Sequence, residues 1–576
     1  MFRHSSRLAL LLFAASLGLA GPGAASASPQ APARAPTSAP WDARAAEHLL
    51  NRAAFGATGV EVDAAIALGR EAFLARLFTG TGRPRPAFEL SQPERPSREE
   101  RRAMSEEERR RTYQRLRRAD NEQLLSYTGW WFDGMVSDEH PLRERMVLFW
   151  HGFFTSSARE VKNGEAMIRQ NQLFRAHALG SYAELLHAIV RDPAMLVYLN
   201  NTKNTRAAPN ENLARELMEL FSLGEGHYTE QDVKEAARAL TGYTQLDANF
   251  VFNRRQHDGG TKTVLGVTGE LDADKLVDIL LAQDACPRWV AGKLLEHFEG
   301  RVPPAPRVER YAKVLRAANW RIDAFLGTLF DDPEFYSPEV VGQRIVGPVE
   351  FMVANCRRLE VLPPGGVLAA GASLLGQQVF GPPNVKGWDG GRAWITTSTF
   401  LQRGNIAGML LGVTRLEDIF KEDPDLFGAE DSTMEPAMDD ESMGGDEPME
   451  PAPGPAGSTG TEGGRKPRQD LGGGRGVSAG LRLMEAPRWR RELDLRGRLK
   501  ACGAGLDAEL VDQLGKDLLA VELSPEARQA LVEYLRAERT ARDIAEGRLL
   551  DQRAYGEAIL RQLAHLILSL PEAQLN

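Results

Sequence analysis

The sequence predicts a mainly α protein: a large multi-helix globular domain with one small β-hairpin and a long disordered insertion. Three observations carry this. Apolar residues recur at helical spacing through most of the chain, strand-like runs are confined to the stretch after Tyr243, and one acidic, Gly-rich segment breaks every periodicity. With 576 residues, 43% of them hydrophobic and 26% charged, the chain is long enough for a large core. A formal net charge of -9 argues against general nucleic-acid binding, which needs a basic face. The three cysteines permit one disulfide at most, and their spacing does not suggest a zinc site.

Residues 1–27 have the anatomy of a secretory signal: Arg3 and Arg7, an apolar run from Leu8 to Ala20, and Ala25-Ser26-Ala27 as a cleavage pattern. The apolar run is short for a membrane span, so the mature chain is expected to carry none and to fold outside the cytoplasm, in the periplasm or secreted. Residues 28–40 read as a flexible lead, 41–421 as the helical core, 422–479 as the disordered insertion, and 480–576 as C-terminal helices packing back on that core.

Within the core, Ala45 to Phe55 and Val60 to Leu68 read as short helices, and the Arg- and Glu-rich run from Ser97 to Asp120 as a solvated helix stitched by i, i+4 pairs. Pro141 to Phe154 is apolar on most sides and reads as a central helix. It contains His151, a weak candidate metal ligand that is more simply read as a hydrogen-bonded core histidine. From Asn210 to Tyr243 two apolar stripes joined at Gly224 predict an αα-hairpin, with Thr229 and Asp232 as a capping box on its second helix. Its polar side holds Glu211, Arg215, Glu216, Glu219 and Arg238.

Phe250-Val251-Phe252 and Thr263-Val264-Leu265 flank Asp258-Gly259, which suggests one β-hairpin turning there. His257, Asp258 and Lys262 would then sit at or beside its tip. Further on, Val379 to Trp394 is a Gly- and Pro-rich loop with Trp388, Asp389 and Trp394, a composition suited to stacking on a flat ligand or to plugging a core. The helix after it carries Arg403 and Asn405. Four methionines in the acidic insertion could collect copper, although a solvated linker explains them.

Several motifs resemble a known family. HLLNRAAFGAT, FWHGFF, PNENLARELMELFSLGEGHYTEQDVKEAARALTGY, HDGGTKTVLG, VKGWDGGRAWITTSTFLQRGN and LSLPEAQLN occur in order from about Trp41 to Asn576. They are similar to the bacterial domain-of-unknown-function 1800 family. That resemblance implies an exported, mostly helical protein, often encoded beside exported proteins of another uncharacterised family, with no established activity or cofactor. Leu213, Tyr243 and Gly152 depart from the pattern expected at their positions.

Two classes of function fit. An extracytoplasmic hydrolase would use Glu211 with Glu216 or Glu219 as acid and base, aided by His257 and Asp258, with Arg215, Arg238, Lys262, Trp388, Asp389, Trp394, Arg403 and Asn405 binding substrate. A binding or assembly protein would use the same polar residues to fix its helices and would engage another exported protein. The second is favoured, because each strong motif has a structural explanation. Either way, Glu211, Arg215, Glu216 and Arg238 are expected to meet the hairpin tip at His257 and the Trp388 loop.

Overall fold

Helix starts along the chain are fixed by side chains that accept the orphan backbone N–H groups of the first turn. Asp42, Asn163, Ser181, Asp192 and Asp272 each do so once, while Thr58 with Glu61 and Thr229 with Asp232 form full capping boxes. In this computed structural model, residues 41–80, 87–90, 95–137, 140–414 and 493–576 are described. Among them are 23 α-helices and two two-stranded sheets, so the mainly α expectation holds. The expected signal, flexible lead and methionine-bearing insertion lie outside the described residues.

The longest helix, Glu106–Ser137, has two halves of different character. Its first half is exposed and charged, with an i, i+4 pair between Arg118 and Glu122 at 2.8 Å. Its second half turns Tyr127, Trp131, Phe132 and Met135 into the core. There it meets helix Gly365–Leu374, and the backbones touch: a Cβ on Gly365 would stand 2.0 Å from the Gly129 carbonyl oxygen. Helix Pro141–Phe153 runs through the centre with Met146, Val147 and Trp150 fully buried.

Residues 493–576 add helices Leu495–Ala501, Asp507–Leu518, Pro525–Thr540 and Gly556–Leu568, which lean on helices Pro348–Leu359 and Thr397–Leu411. Polar ties accompany the apolar contact. Arg358 donates to the Leu518 carbonyl at 3.2 Å, Arg498 to the Arg358 carbonyl at 3.0 Å, and Arg344 and Asn576 exchange backbone hydrogen bonds. All three cysteines are free, so the one permitted disulfide does not form.

The β content differs from expectation. β1 (Tyr243–Leu246) pairs with β2 (Asn249–Phe252) through a turn at Asp247-Ala248, and β3 (Lys262–Val264) pairs with β4 (Val267–Gly269) through a turn at Leu265-Gly266. The single hairpin turning at Asp258-Gly259 is therefore replaced by two hairpins, with His257 and Asp258 in the link between them. Turn residues 247, 248, 265 and 266 all have positive φ, so each reversal closes within two residues. Asp258 is drawn instead into an ion pair with Arg238.

The Gly129–Gly365 contact leaves no room for a methyl group. Gly365→Ala should cost about 3 kcal/mol or more, because the obstructing atom is backbone. Urea denaturation of the purified variant measures it, and an unchanged midpoint would rule out this packing.

Candidate functional site

The αα-hairpin forms from helices Asn212–Glu219 and Glu230–Ala239. Leu213, Leu217, Val233, Ala236 and Ala237 are fully buried, and the Asn210 carboxamide accepts the Asn212 N–H at 3.1 Å. On the polar side Arg215 donates to Glu211 at 3.0 Å and, through both terminal nitrogens, to Glu230 at 2.8 Å. Glu211 and Arg215 thus pin the two helices together.

A second group lies at the end of helix Glu230–Ala239. Arg238 donates to both oxygens of Asp258, at 2.8 and 3.3 Å, and to Glu235 at 2.8 Å. Its guanidinium holds the Asp258 carboxyl below the usual carboxylate range, helped by the Gly260 N–H. The Asp258 backbone N–H donates to the Thr241 hydroxyl at 2.8 Å. His257 Nδ1 lies 2.8 Å from the Thr241 carbonyl, which can only accept, so that nitrogen carries the proton. Lys262 is 1% exposed and donates to the Asp258 and Gly260 carbonyls, and burial lowers its pKa. Expected at or beside an exposed tip, it is an internal tie.

Beneath this group sits a network that the sequence did not single out. Asn204 donates to the Ala237 carbonyl at 2.9 Å and accepts from the Asn210 backbone at 2.9 Å, while Asn201 donates to the Tyr243 carbonyl at 2.8 Å. With Thr241 these two asparagines bind the link and β1 to the helix end. The Asn- and Thr-rich loop from Asn200 to Pro209 carried the only signal, its entry into the αα-hairpin.

A third group joins the αα-hairpin to the Trp-bearing loop. Tyr228 donates its hydroxyl to Glu219 at 3.0 Å, and Lys386 approaches Glu219 at 3.9 Å. Burial first, and then the neighbouring Glu219, raises the Glu216 carboxyl above its ordinary value. Tyr198 is pushed up to about 12 by burial and by Glu160 and Glu216. The residues expected to converge thus fall into three groups: Glu211 and Arg215, then Arg238, His257, Asp258 and Lys262, then Glu216 and Glu219 with Lys386.

The remaining candidates are placed apart. Trp388 is half-buried with its ring centroid 5.8 Å from that of His151, Asp389 is exposed, and Trp394 packs beside Gly347 and Gly376. Arg403 is fully buried, where it donates to the Gln574 side chain at 3.0 Å and the Val346 carbonyl at 2.8 Å, and Asn405 is half-buried on the same helix.

His151 Nε2 accepts the Phe380 backbone N–H at 3.0 Å, with Trp131 and Phe380 edge-on to its ring. Phe380 is held at φ 62, a left-handed conformation unusual for an aromatic residue. His151 therefore anchors the start of the Trp-bearing loop. Among the described residues no group of three or more His, Cys, Asp or Glu side chains is placed to hold a metal.

A family model described as a protein of unknown function, DUF1800, matches residues 48–575. The chain belongs to this family. All three groups, the Asn201–Asn204 network and His151 lie inside the DUF1800 match. Neither a curated protein nor a solved structure matches the chain.

Burial pushes His151 down to about 3, so the folded state keeps it neutral while the unfolded chain takes a proton below about 6.5. Its contribution to stability is full above that pH and falls as pH drops toward 3, by about 1.4 kcal/mol per unit. The stability gap between wild type and His151→Gln should consequently narrow on acidification from pH 7 to 5. Paired denaturation curves measure the gap, and a constant gap would remove burial as the cause.

Proposed function

We propose that this DUF1800 protein is a binding or assembly protein that works with another exported protein, and that the hairpins between Tyr243 and Gly269 form its contact surface. The observation that carries this reading is the way the polar motif is used. Arg238, His257, Asp258, Lys262 and Thr241 are engaged in holding the base of the hairpins, whose outer parts present apolar side chains. In the β1–β2 register Leu246 and Val251 fall on one face, at 61% and 38% exposure. Val267 at the other turn is 45% exposed. Among the described residues each sheet has only two strands; the outer edge of β3 is taken where the Thr263 N–H donates to Glu235 at 3.1 Å and that of β1 where Asn201 donates to the Tyr243 carbonyl, so β2 and β4 are the edges offered to a partner's extended segment.

The hydrolase reading draws on a different observation. Glu216, with its carboxyl raised, stands one helical turn from Glu219, so that two carboxylates lie side by side as acid and base candidates. The two readings separate in one experiment. Purified by affinity from its extracytoplasmic fraction, the mature protein should retain a second exported protein through gel filtration. The double variant Leu246→Asp, Val251→Asp should lose it by about tenfold or more at unchanged melting temperature. A wild type that elutes alone and hydrolyses an envelope polymer, with turnover abolished in Glu216→Gln, would replace the binding reading.

A further inference from the structure

At the centre of the molecule, guanidinium groups outnumber the carboxylates available to them. Glu350 is shared: Arg344 donates to both its oxygens at 2.5 Å, and Arg145 Nη1 lies 2.7 Å from Oε1. Arg52, from helix Ala43–Ala53, is fully buried nearby and donates through Nη2 to the Val340 carbonyl at 2.8 Å. The other acid of the region, Glu299, is engaged by Arg307 at 2.7 Å. Three permanently charged groups thus face one shared carboxylate, in a place where unbalanced charge is costly.

The hydrogen-bond account is also unbalanced. Among the described residues, Nε and Nη1 of Arg52 have no partner, and while Nη1 of Arg145 is taken up by Glu350, its Nε and Nη2 have none. His297 Nε2, on helix Ala285–Glu299, is buried and unpartnered as well. Phe55 lies under Arg145, its ring centre 5.3 Å from the guanidinium carbon, so one face of that cation meets an aromatic ring. Burial lowers Arg145 to about 9, with Arg344 adding to the effect and Glu350 opposing it, as expected where positive potential is in excess.

We propose that this centre binds one small inorganic monoanion of the chloride class, held by the free donors of Arg52 and Arg145 with His297 beside it. A spherical acceptor suits the arrangement, because it makes no angular demand on donors arriving from three separate helices. The ion would be structural, enclosed as the helices close, and would balance charge that Glu350 cannot balance alone.

The test uses the full mature chain, refolded from denaturant with bromide, chloride or gluconate as the sole anion at equal ionic strength. Bromide and chloride should raise the melting temperature over gluconate by roughly 2–5 °C at saturation. Crystals of the bromide-refolded protein should show an anomalous bromine peak in contact with both Arg52 and Arg145. The variant Arg52→Gln should lose the halide-dependent shift, and if it does not fold, the wild-type peak still decides. Ordered water alone between the two guanidinium groups, or bromine peaks only elsewhere, overturns the proposal whatever the melting temperatures do.

Discussion

The shared carboxylate of Glu350 is the constraint on which the rest of the structure depends. Arg145 reaches it from the central helix and Arg344 from the segment that precedes Glu350's own helix, while Arg52 lies close by on the first described helix. Charge holds Glu350 well below the ordinary carboxylate range despite complete burial, Arg145 being the largest favourable influence and Arg344 the next. A buried pair of this kind adds little net stability compared with a well-packed apolar replacement, but removing one partner costs about 3–5 kcal/mol. Its effect is therefore on uniqueness: alternative packings of these helices would strand a charge in the core.

The same logic operates at smaller scale around the αα-hairpin. Glu211, Arg215, Arg238, Asp258 and Lys262, which could serve chemistry, are given backbone or ionic partners, and those partners join elements that would otherwise only touch. Gly242 shows how tight the result is, with φ +77 and space beside it so limited that a Cβ would stand 2.5 Å from the Asn253 carbonyl oxygen. Such a base lets short hairpins project without a wider sheet to support them.

What the sequence disclosed follows from which interactions are local. The apolar stripes of the αα-hairpin, its capping box and the charged half of the long helix were legible because each is written within a few residues. The hairpin pairing was misread because Asp-Gly is a strong local turn signal, whereas Asp258 is claimed by Arg238, twenty residues earlier in the chain. Turns at Asp247-Ala248 and Leu265-Gly266 carry weaker signals. Arg145, Arg344 and Glu350 gave none, since a charged residue bound for the interior of a helical protein has no distinguishing spacing. Of the candidate site, the Arg238–Asp258 neighbourhood was anticipated, but not the buried asparagines that support it.

The backbone exchange between Arg344 and Asn576 has a kinetic meaning. Val346 also donates its backbone N–H to the Gln574 carbonyl, so the segment that positions Arg344 against Glu350 is completed by residues more than two hundred positions later. No ordering of earlier helices can make these bonds until residues 574 to 576 are at hand. Closure of this segment is consequently a late step of folding, set by a contact of high sequence separation.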